Sequence, residues 1–251
     1  MAESDTAGPG PGACERYLEE IGVIPSPRAT CPFDPGYDPD SVEAHLRQSG
    51  HLIATLKISM ACWMVADEAV TRRKIAAAAA AGIPTVAGGG PFETAVAQGA
   101  LSSYLDLCAD VGLKRIECAE GFTELNLAPA DIVAQAGARG LEVDYELGEK
   151  HSGQFTDAQA EELVEEGRRW LDAGAVRLVI EARESAQDVG LFSAPGQFDA
   201  RQAERFVEAF GLDTVLFEAP NKASQFALID HFGPQVQLGN VRLEEVLRVE
   251  I

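Results

Sequence analysis

Short apolar runs, separated by longer amphipathic stretches, repeat along the chain from Asp40 onward. Each unit consists of a helical stretch, a glycine, and a short apolar run that ends in polar residues. A glycine at that place supplies the left-handed backbone that stops a helix before the next strand. These glycines recur about once per βα unit, at Gly50, Gly82, Gly112, Gly140, Gly174, Gly211 and Gly233. The pattern therefore predicts alternating helices and strands.

Eight strands and the helices between them are predicted from this pattern. A weaker first strand covers Ala29–Phe33, and the others cover Ile53–Ile58, Pro84–Ala87, Arg115–Cys118, Leu141–Leu147, Val176–Glu181, Thr214–Glu218 and Val236–Leu238. The predicted helices include Asp67–Ala81, Ala130–Arg139, Thr156–Ala173 and Asp199–Phe210. Strict alternation predicts a parallel sheet in an α/β fold, and eight units favour a (β/α)₈ TIM barrel. Periodicity alone leaves a doubly wound open sheet as the alternative.

The first 27 residues differ from the rest of the chain. They are punctuated by Gly and Pro around one short amphipathic piece, Cys14–Ile21. We expect a flexible N-terminal extension over residues 1–27, followed by a single barrel domain over residues 28–251, a length that suits one barrel.

Composition narrows the class of protein. A formal net charge of −20, without a stripe rich in Lys and Arg, makes nucleic acid an unlikely partner. The five cysteines form no Cys-x-x-Cys pair, which fits a reducing compartment. No secretion signal or run of about 20 apolar residues is present, so we expect a cytoplasmic protein without membrane contact. The acidity itself is interpreted as a solvated surface and indicates no function.

Glutamate follows an apolar residue at the end of four successive predicted strands. In a parallel barrel these ends share the carboxyl face, where the active sites of this fold lie. Such carboxylates need nearby cations, a metal, or raised pKa values. The four pairs are Ile116-Glu117, Tyr145-Glu146, Ile180-Glu181 and Phe217-Glu218.

Basic residues accompany these glutamates: Lys57, Lys150, Arg183 and Lys222. Two interpretations stay open, an anionic ligand bound between the charges or structural ion pairs between strand ends. An all-oxygen donor set suits Mg²⁺ better than zinc, and the four histidines are scattered. Gly88-Gly89-Gly90 offers backbone N–H groups to a phosphate, although a plain tight turn explains it equally well. No catalytic triad, Walker loop or dinucleotide fingerprint occurs in its required context.

Several ordered loop motifs resemble those of the phosphosulfolactate synthase family, over about residues 33–241. They are Gly88-Gly89 with Phe92-Glu93, Glu146-Leu147-Gly148-Glu149-Lys150, Ile180-Glu181-Ala182-Arg183-Glu184-Ser185, Gly190-Leu191-Phe192, Phe217-Glu218-Ala219-Pro220-Asn221-Lys222 with Gln225, and Asn240. The resemblance implies a (β/α)₈ barrel and a carbon–sulfur lyase of coenzyme M or sulfolactate biosynthesis. Its reaction is a Mg²⁺-dependent Michael addition of sulfite to phosphoenolpyruvate.

The resemblance also implies roles for individual residues. Lys150 matches the lysine proposed as general acid, with a pKa lowered toward working pH, and Glu146 is the second expected catalytic residue. The expected substrate-binding residues are Lys57, Gly88, Gly89, Arg183, Ser185 and Lys222. The expected Mg²⁺ ligands are Glu117, Glu181 and Glu218. We also expect a homo-oligomer that acts on small anionic substrates.

The first half of the barrel departs from the family pattern. The family's Asp-Lys-Gly becomes Asp34-Pro35-Gly36, and a Gly-rich loop becomes Ile58-Ser59-Met60-Ala61-Cys62-Trp63. Pro-Gly-Gly-Thr becomes Ala87-Gly88-Gly89-Gly90, Ser-Asp-Gly becomes Ala119-Glu120-Gly121, and Glu149 replaces a lysine. Three hypotheses follow: the family reaction, addition of sulfite or another nucleophile to a different unsaturated acid, or a non-catalytic relative acting as an interaction or stress protein.

Overall fold

Eight parallel strands close into a barrel in the computed structural model, which describes residues 12–23, 28–121, 125, 127–151 and 153–250. We number the barrel strands β1 to β8 in chain order. They are β1 Thr30–Asp34, β2 Leu56–Ile58, β3 Thr85–Ala87, β4 Arg115–Cys118, β5 Glu142–Leu147, β6 Arg177–Ile180, β7 Val215–Glu218 and β8 Gln237–Arg242. Each strand pairs with its neighbours in sequence, and β1 pairs with β8 to close the ring. The predicted (β/α)₈ barrel is confirmed, and the open sheet is excluded.

Helices follow the strands and cover the outside of the barrel, except for Ala13–Glu20, which precedes β1. Their bounds are Ala13–Glu20, Pro39–Ser49, Cys62–Val65, Glu68–Ala80, Gly89–Ala97, Leu101–Asp110, Pro129–Gly137, Asp157–Ala173, Ala200–Phe210, Lys222–Phe232 and Val246–Val249, with 3₁₀ turns at Gly50–Leu52 and Leu243–Glu245. The four predicted helices are present, with ends shifted by one or two residues. Thr156 and Gln159 form a capping box at the start of the helix Asp157–Ala173, in which each side chain binds the other's backbone N–H.

The glycine pattern is confirmed at six of its seven positions, where φ is positive. Gly174, for example, ends the longest helix with φ of 108°. The prediction is wrong at Gly50, whose φ is −60° because it begins a 3₁₀ turn that continues the preceding helix.

Three local features differ from the predicted strands. Strand β2 begins at Leu56 because the 3₁₀ turn occupies the residues before Ile53, which itself forms only an isolated bridge to Thr30. Strand β8 continues four residues beyond its predicted end at Leu238, and contains an irregularity described below. A small sheet of Gly153–Gln154 and Val189–Gly190 lies outside the barrel. Strands of two residues are too short to produce a periodic pattern.

Side chains alternate between the two sides of each barrel strand. On β5, the ring of Tyr145 points outward and stacks on Trp170 of the surrounding helix, with 4.1 Å between ring centroids. The barrel interior contains a small apolar layer of Cys31, Val179 and Leu216. Two residues further along their strands, Glu181 and Glu218 therefore point inward at the carboxyl face.

The N-terminal region is described only in part. The helix Ala13–Glu20 has no buried residue. Residues 1–11 and 24–27, on which the predicted flexible extension and domain boundary depend, lie outside the described residues, so both stay predictions. Across the described ranges, no helix combines the length and apolar character that crossing a bilayer requires.

Candidate functional site

The four glutamates predicted from strand ends meet at the carboxyl face of the barrel. Glu117, Glu146, Glu181 and Glu218 are each at most 3% exposed. Each stands two residues after an inward-facing position on its strand, so strand alternation directs all four toward the barrel axis. We call these glutamates, together with Lys57 and Lys150, the charged ring.

Lys57, at the middle of β2, lies between two of the glutamates. Its Nζ is 2.8 Å from Oε1 of Glu117 and 3.4 Å from Oε1 of Glu218. The absence of a side chain on Gly88 makes room for it, since a β-carbon there would be 3.3 Å from Cε of Lys57. Lys57 is thus held by the protein's own carboxylates.

Lys150 occupies the equivalent place between the other two glutamates. Its Nζ is 2.8 Å from Oε1 of Glu146 and forms a second ion pair with Oε2 of Glu181. The Lys150 side chain is 21% exposed, whereas both glutamates are buried. The Lys150 side chain is therefore the most accessible part of this cluster.

Backbone N–H groups fix the glutamates from the other side. Gly89 N donates to Oε1 of Glu117 at 3.1 Å, and Ala182 N donates to Oε2 of Glu218 at 3.0 Å. Arg183, in a left-handed conformation with φ of 57°, donates its N–H to Glu181. Because the N–H of Gly89 binds the carboxylate of Glu117, it is not available to a phosphate, contrary to the expectation from sequence.

The other expected substrate-binding residues lie on the rim. Arg183 is half-buried, and Ser185 is exposed. Lys222 is exposed at the first turn of its helix, with Nζ 5.4 Å from the ring centroid of Phe226. Asn221 ties two rim loops together through a 2.8 Å hydrogen bond from Nδ2 to the carbonyl oxygen of Ser185.

Burial and neighbouring charges together shift the pKa values of several groups in the ring. Burial raises the pKa of Glu117 despite the nearby ammonium of Lys57. Burial, and then the charges of Glu218 and Glu146, raise the pKa of Glu181 well above its usual range. Burial alone would lower the pKa of Lys150, but the charges of Glu146 and Glu181 outweigh it and raise that pKa. The expected lowering of the Lys150 pKa is therefore wrong for the protein in this state.

The carboxylates are divided into two pairs by the lysines. For this reason, no group of three or more His, Cys, Asp or Glu side chains stands ready to hold a metal ion within the described part of the chain. The donor chemistry still fits Mg²⁺, which prefers one or two carboxylates together with water and substrate oxygens. The expected ligands Glu117, Glu181 and Glu218 all belong to the ring.

The residues that depart from the family pattern differ in burial and in their contacts. Trp63 is buried and does not reach the mouth, whereas Met60 is 68% exposed, with φ of 51°. The carboxylate of Asp34, at the end of β1, is buried and pairs with the buried Lys74. This carboxylate therefore has a cationic partner within the protein. Met60 thus adds exposed apolar surface to the loop after β2.

Two further residues, Asn240 and Gly121, contact the charged ring, and neither had a predicted role. Asn240 Nδ2 donates to Oε1 of Glu218. A β-carbon on Gly121 would lie 3.2 Å from both Glu146 Oε1 and Lys150 Cγ. A polar residue within the apolar run Leu238–Val241 was the available signal for Asn240. Asn240 is among the residues that resemble the family, but the predicted strand ended at Leu238, so its contact with Glu218 was not predicted.

Solved structures of low sequence identity share the barrel. A 3-dehydroquinate dehydratase from Geobacillus kaustophilus matches with a TM-score of 0.56 and 10% identity, covering 89% of this chain and 90% of that chain. A deoxyribose phosphate aldolase from Aeropyrum pernix matches with a TM-score of 0.54 and 14% identity, covering 89% and 88%. At such identities the likeness concerns the fold alone.

Sequence relatives are more specific. A phosphosulfolactate synthase from Methanocaldococcus jannaschii is 30% identical over 222 residues, covering 88% of each chain. One from Bacillus subtilis is 28% identical over 165 residues, covering 65% of each. The family model described as (2R)-phospho-3-sulfolactate synthase matches residues 26–251, which include the whole barrel and every residue of the charged ring. The chain therefore belongs to the (2R)-phospho-3-sulfolactate synthase family.

Proposed function

We propose that this protein is a lyase that adds sulfite to phosphoenolpyruvate and forms phosphosulfolactate. The observation that carries the proposal is the charged ring, in which two lysines lie between buried glutamates at the carboxyl face of a barrel of this family. In the reaction, the sulfur lone pair forms a bond to the methylene carbon. The carbon–carbon π pair moves toward the carboxylate, and a proton then bonds to the adjacent carbon.

Lys150 is the proposed proton donor. It is the most exposed charged group of the ring, and the charges of Glu146 and Glu181 keep it protonated in the free protein. Because those charges also oppose release of the proton, its pKa must fall toward the working pH when substrate binds. The same two carboxylates hold its ammonium in one place, which is what a positioned general acid requires. Glu146 is proposed as the residue that orients Lys150.

Substrate anions would be received by the basic residues around the ring. Arg183 is suited to a two-pronged contact with a phosphate or carboxylate, and Lys222 adds charge on the neighbouring rim loop. Ser185 offers a hydroxyl hydrogen bond, whereas the N–H groups of Gly88 and Gly89 already bind the carbonyl oxygen of Ile58 and the carboxylate of Glu117. Lys57, which lies deeper between Glu117 and Glu218, would contribute positive charge beneath the substrate.

The ring contains four glutamates and two ammonium groups, so ionisation of all four glutamates leaves excess negative charge where anionic substrates must bind, and this excess contributes to the raised pKa of Glu181. A divalent cation removes that excess, and we propose Mg²⁺, held by residues among Glu117, Glu181 and Glu218. When bound, Mg²⁺ supplies positive charge that stabilises the charge developing on the substrate carboxylate.

A direct assay tests the proposal. The purified protein is mixed with Mg²⁺, sulfite and phosphoenolpyruvate, and the loss of enol absorbance and the formation of a sulfonate are followed. Turnover that depends on all three components supports the proposal. No turnover at high enzyme concentration, with or without Mg²⁺, would remove it.

One observation favours a second candidate, addition of sulfite or another nucleophile to a different unsaturated acid. Met60 has an exposed apolar side chain, and its backbone N and Cε of Lys57 would each lie 3.3 Å from a β-carbon on Gly88, in a segment where the family pattern has a Gly-rich loop. An unsaturated acid with an apolar substituent is the substrate class that this residue would suit. Turnover of such an acid, in a protein that does not convert phosphoenolpyruvate, would establish this candidate instead.

A further inference from the structure

Strand β8 contains a β-bulge at Asn240. Its pairing with β1 joins Cys31 to Gly239 and Pro32 to Val241, so Asn240 is the extra residue between two consecutive pairs. The φ of Asn240 is 52°, a left-handed conformation that asparagine adopts more readily than most residues. Bulges of this kind occur next to active sites, where they change the direction of a side chain.

The bulge places two consecutive residues on the same side of the strand. Gly239 and Asn240 both line the cavity at the barrel axis, together with Lys57, Glu117 and Glu218. In a regular strand, successive side chains point to opposite sides, so only one of the two would face inward. The extra residue is therefore what brings the amide of Asn240 to the charged ring.

The amide completes the contacts of Glu218. Oε1 of Glu218 accepts hydrogen bonds from Lys57 and from Nδ2 of Asn240, and Oε2 accepts one from the N–H of Ala182 at 3.0 Å. Three donors from three different parts of the barrel thus fix both oxygens of this carboxylate. Asn240 is the donor among them that is an uncharged side chain, so it fixes the direction of Glu218 without neutralising it.

We propose that Asn240 is a positioning residue, and that the bulge in β8 serves to hold Glu218 in its place within the charged ring. The effect on turnover rests on the proposed function, whereas the contact itself does not. An asparagine meets both requirements, because its side chain donates a hydrogen bond and its backbone tolerates a left-handed conformation.

Two substitutions separate these requirements. Asn240→Gly keeps the backbone conformation and removes the amide. Asn240→Asp keeps the shape and tolerance of the left-handed backbone, but it places a carboxylate against Oε1 of Glu218. We expect Asn240→Asp to lower kcat about 10- to 100-fold, as is common when a residue supporting a metal or catalytic group is changed. Asn240→Gly should be less harmful, and KM should change less than kcat in both.

A matched control is Gln237→Glu, which makes the same change from amide to carboxylate at the other end of β8. The amide of Gln237 donates to the carbonyl oxygen of Asp213, far from the mouth. This variant should lose stability while kcat stays within about two-fold of the parent. If Asn240→Asp also keeps kcat within about two-fold, Asn240 does not position the site.

A double-mutant cycle tests the contact without any substrate. In Glu218→Gln, the new amide can donate to a carboxylate at position 240 while its oxygen still accepts from Ala182. Asn240→Asp should therefore lower Tm by about 4 °C or more in the parent, but by less than about 2 °C in the Glu218→Gln background. Equal losses in both backgrounds would show that the two side chains are not coupled, and would overturn the proposal.

The two proposals fail in distinguishable ways. A parent protein without turnover on sulfite and phosphoenolpyruvate removes the proposed reaction, but leaves the Tm cycle to decide the pairing of Asn240 with Glu218. Turnover by the parent that Asn240→Asp does not reduce keeps the reaction and removes the positioning role.

Discussion

Gly121 lies against Lys150, with its carbonyl oxygen 3.2 Å from the backbone N of Lys150. A β-carbon on Gly121 would lie 3.2 Å from Cγ and 3.3 Å from Cε of the lysine. The loop after β4 thus sets where the lysine side chain can lie, although the lysine itself belongs to the loop after β5. This close approach makes the position of Lys150 sensitive to a single methyl group.

Gly121→Ala should displace Lys150 by a few tenths of an ångström and lower kcat about ten-fold, because proton transfer depends steeply on geometry. Stability should change little, since the lysine side chain is partly exposed and can move. Steady-state kinetics and thermal unfolding provide the two measurements. Unchanged kcat would mean that Lys150 need not occupy its observed place.

Lys150→Ala should lower kcat by at least about 10²-fold, the lower end for a positioned general acid. It should also lower Tm, because Glu146 and Glu181 would be left buried without their ammonium partner. Lys150→Arg should retain more stability but remain inactive, because a guanidinium keeps its proton. The control is Lys114→Ala, at an exposed lysine before β4. Activity in Lys150→Arg close to that of the parent would show that the proton comes from elsewhere.

Gly190 should tolerate no side chain. Its φ is 54°, and a β-carbon there would overlap the carbonyl oxygen of Glu181. Gly82 has a φ of 71° but open space around it, so Gly82→Ala measures the backbone cost alone, about 1–2 kcal/mol. Gly190→Ala should cost at least about 2 kcal/mol more in denaturant unfolding, because the overlap is added. Equal costs for the two variants would contradict the close approach of this loop to Glu181.

Glu166→Gln should raise stability at neutral and alkaline pH. Glu166 accepts a hydrogen bond from the hydroxyl of Tyr145, which lies outside the barrel, and a glutamine oxygen can accept the same bond. Burial raises the pKa of Glu166, an effect that the bond from Tyr145 only partly opposes. The folded parent therefore holds its proton more tightly than the unfolded chain, so the parent loses stability as pH rises from the unfolded pKa through the raised folded pKa.

The measurement is the difference in Tm between Glu166→Gln and the parent from pH 4 to pH 8. It should increase by a few degrees as pH rises, and then level off. Glu162→Gln, at an exposed position on the same helix, is the control. A difference that shrinks toward alkaline pH would have the wrong sign and would reject burial as the dominant cause.

The repeat of apolar runs and glycines determined the barrel, and the glutamates at four strand ends determined where its charged mouth lies. Both inferences succeed because strand alternation and helix termination are local properties that a few neighbouring residues control. The ordered motifs of the second half, such as Ile180-Glu181-Ala182-Arg183, likewise identified the family from sequence.

Tertiary structure alone decided how the charges pair. Sequence placed Lys150 near Glu146, but its contact with Glu181 depends on two strands becoming neighbours, and those carboxylates raise a pKa that was expected to fall. The bulge at Asn240 depends on its register with β1, more than 200 residues earlier in the chain. Electrostatic interaction and strand register both depend on distances in space, which residue order does not specify.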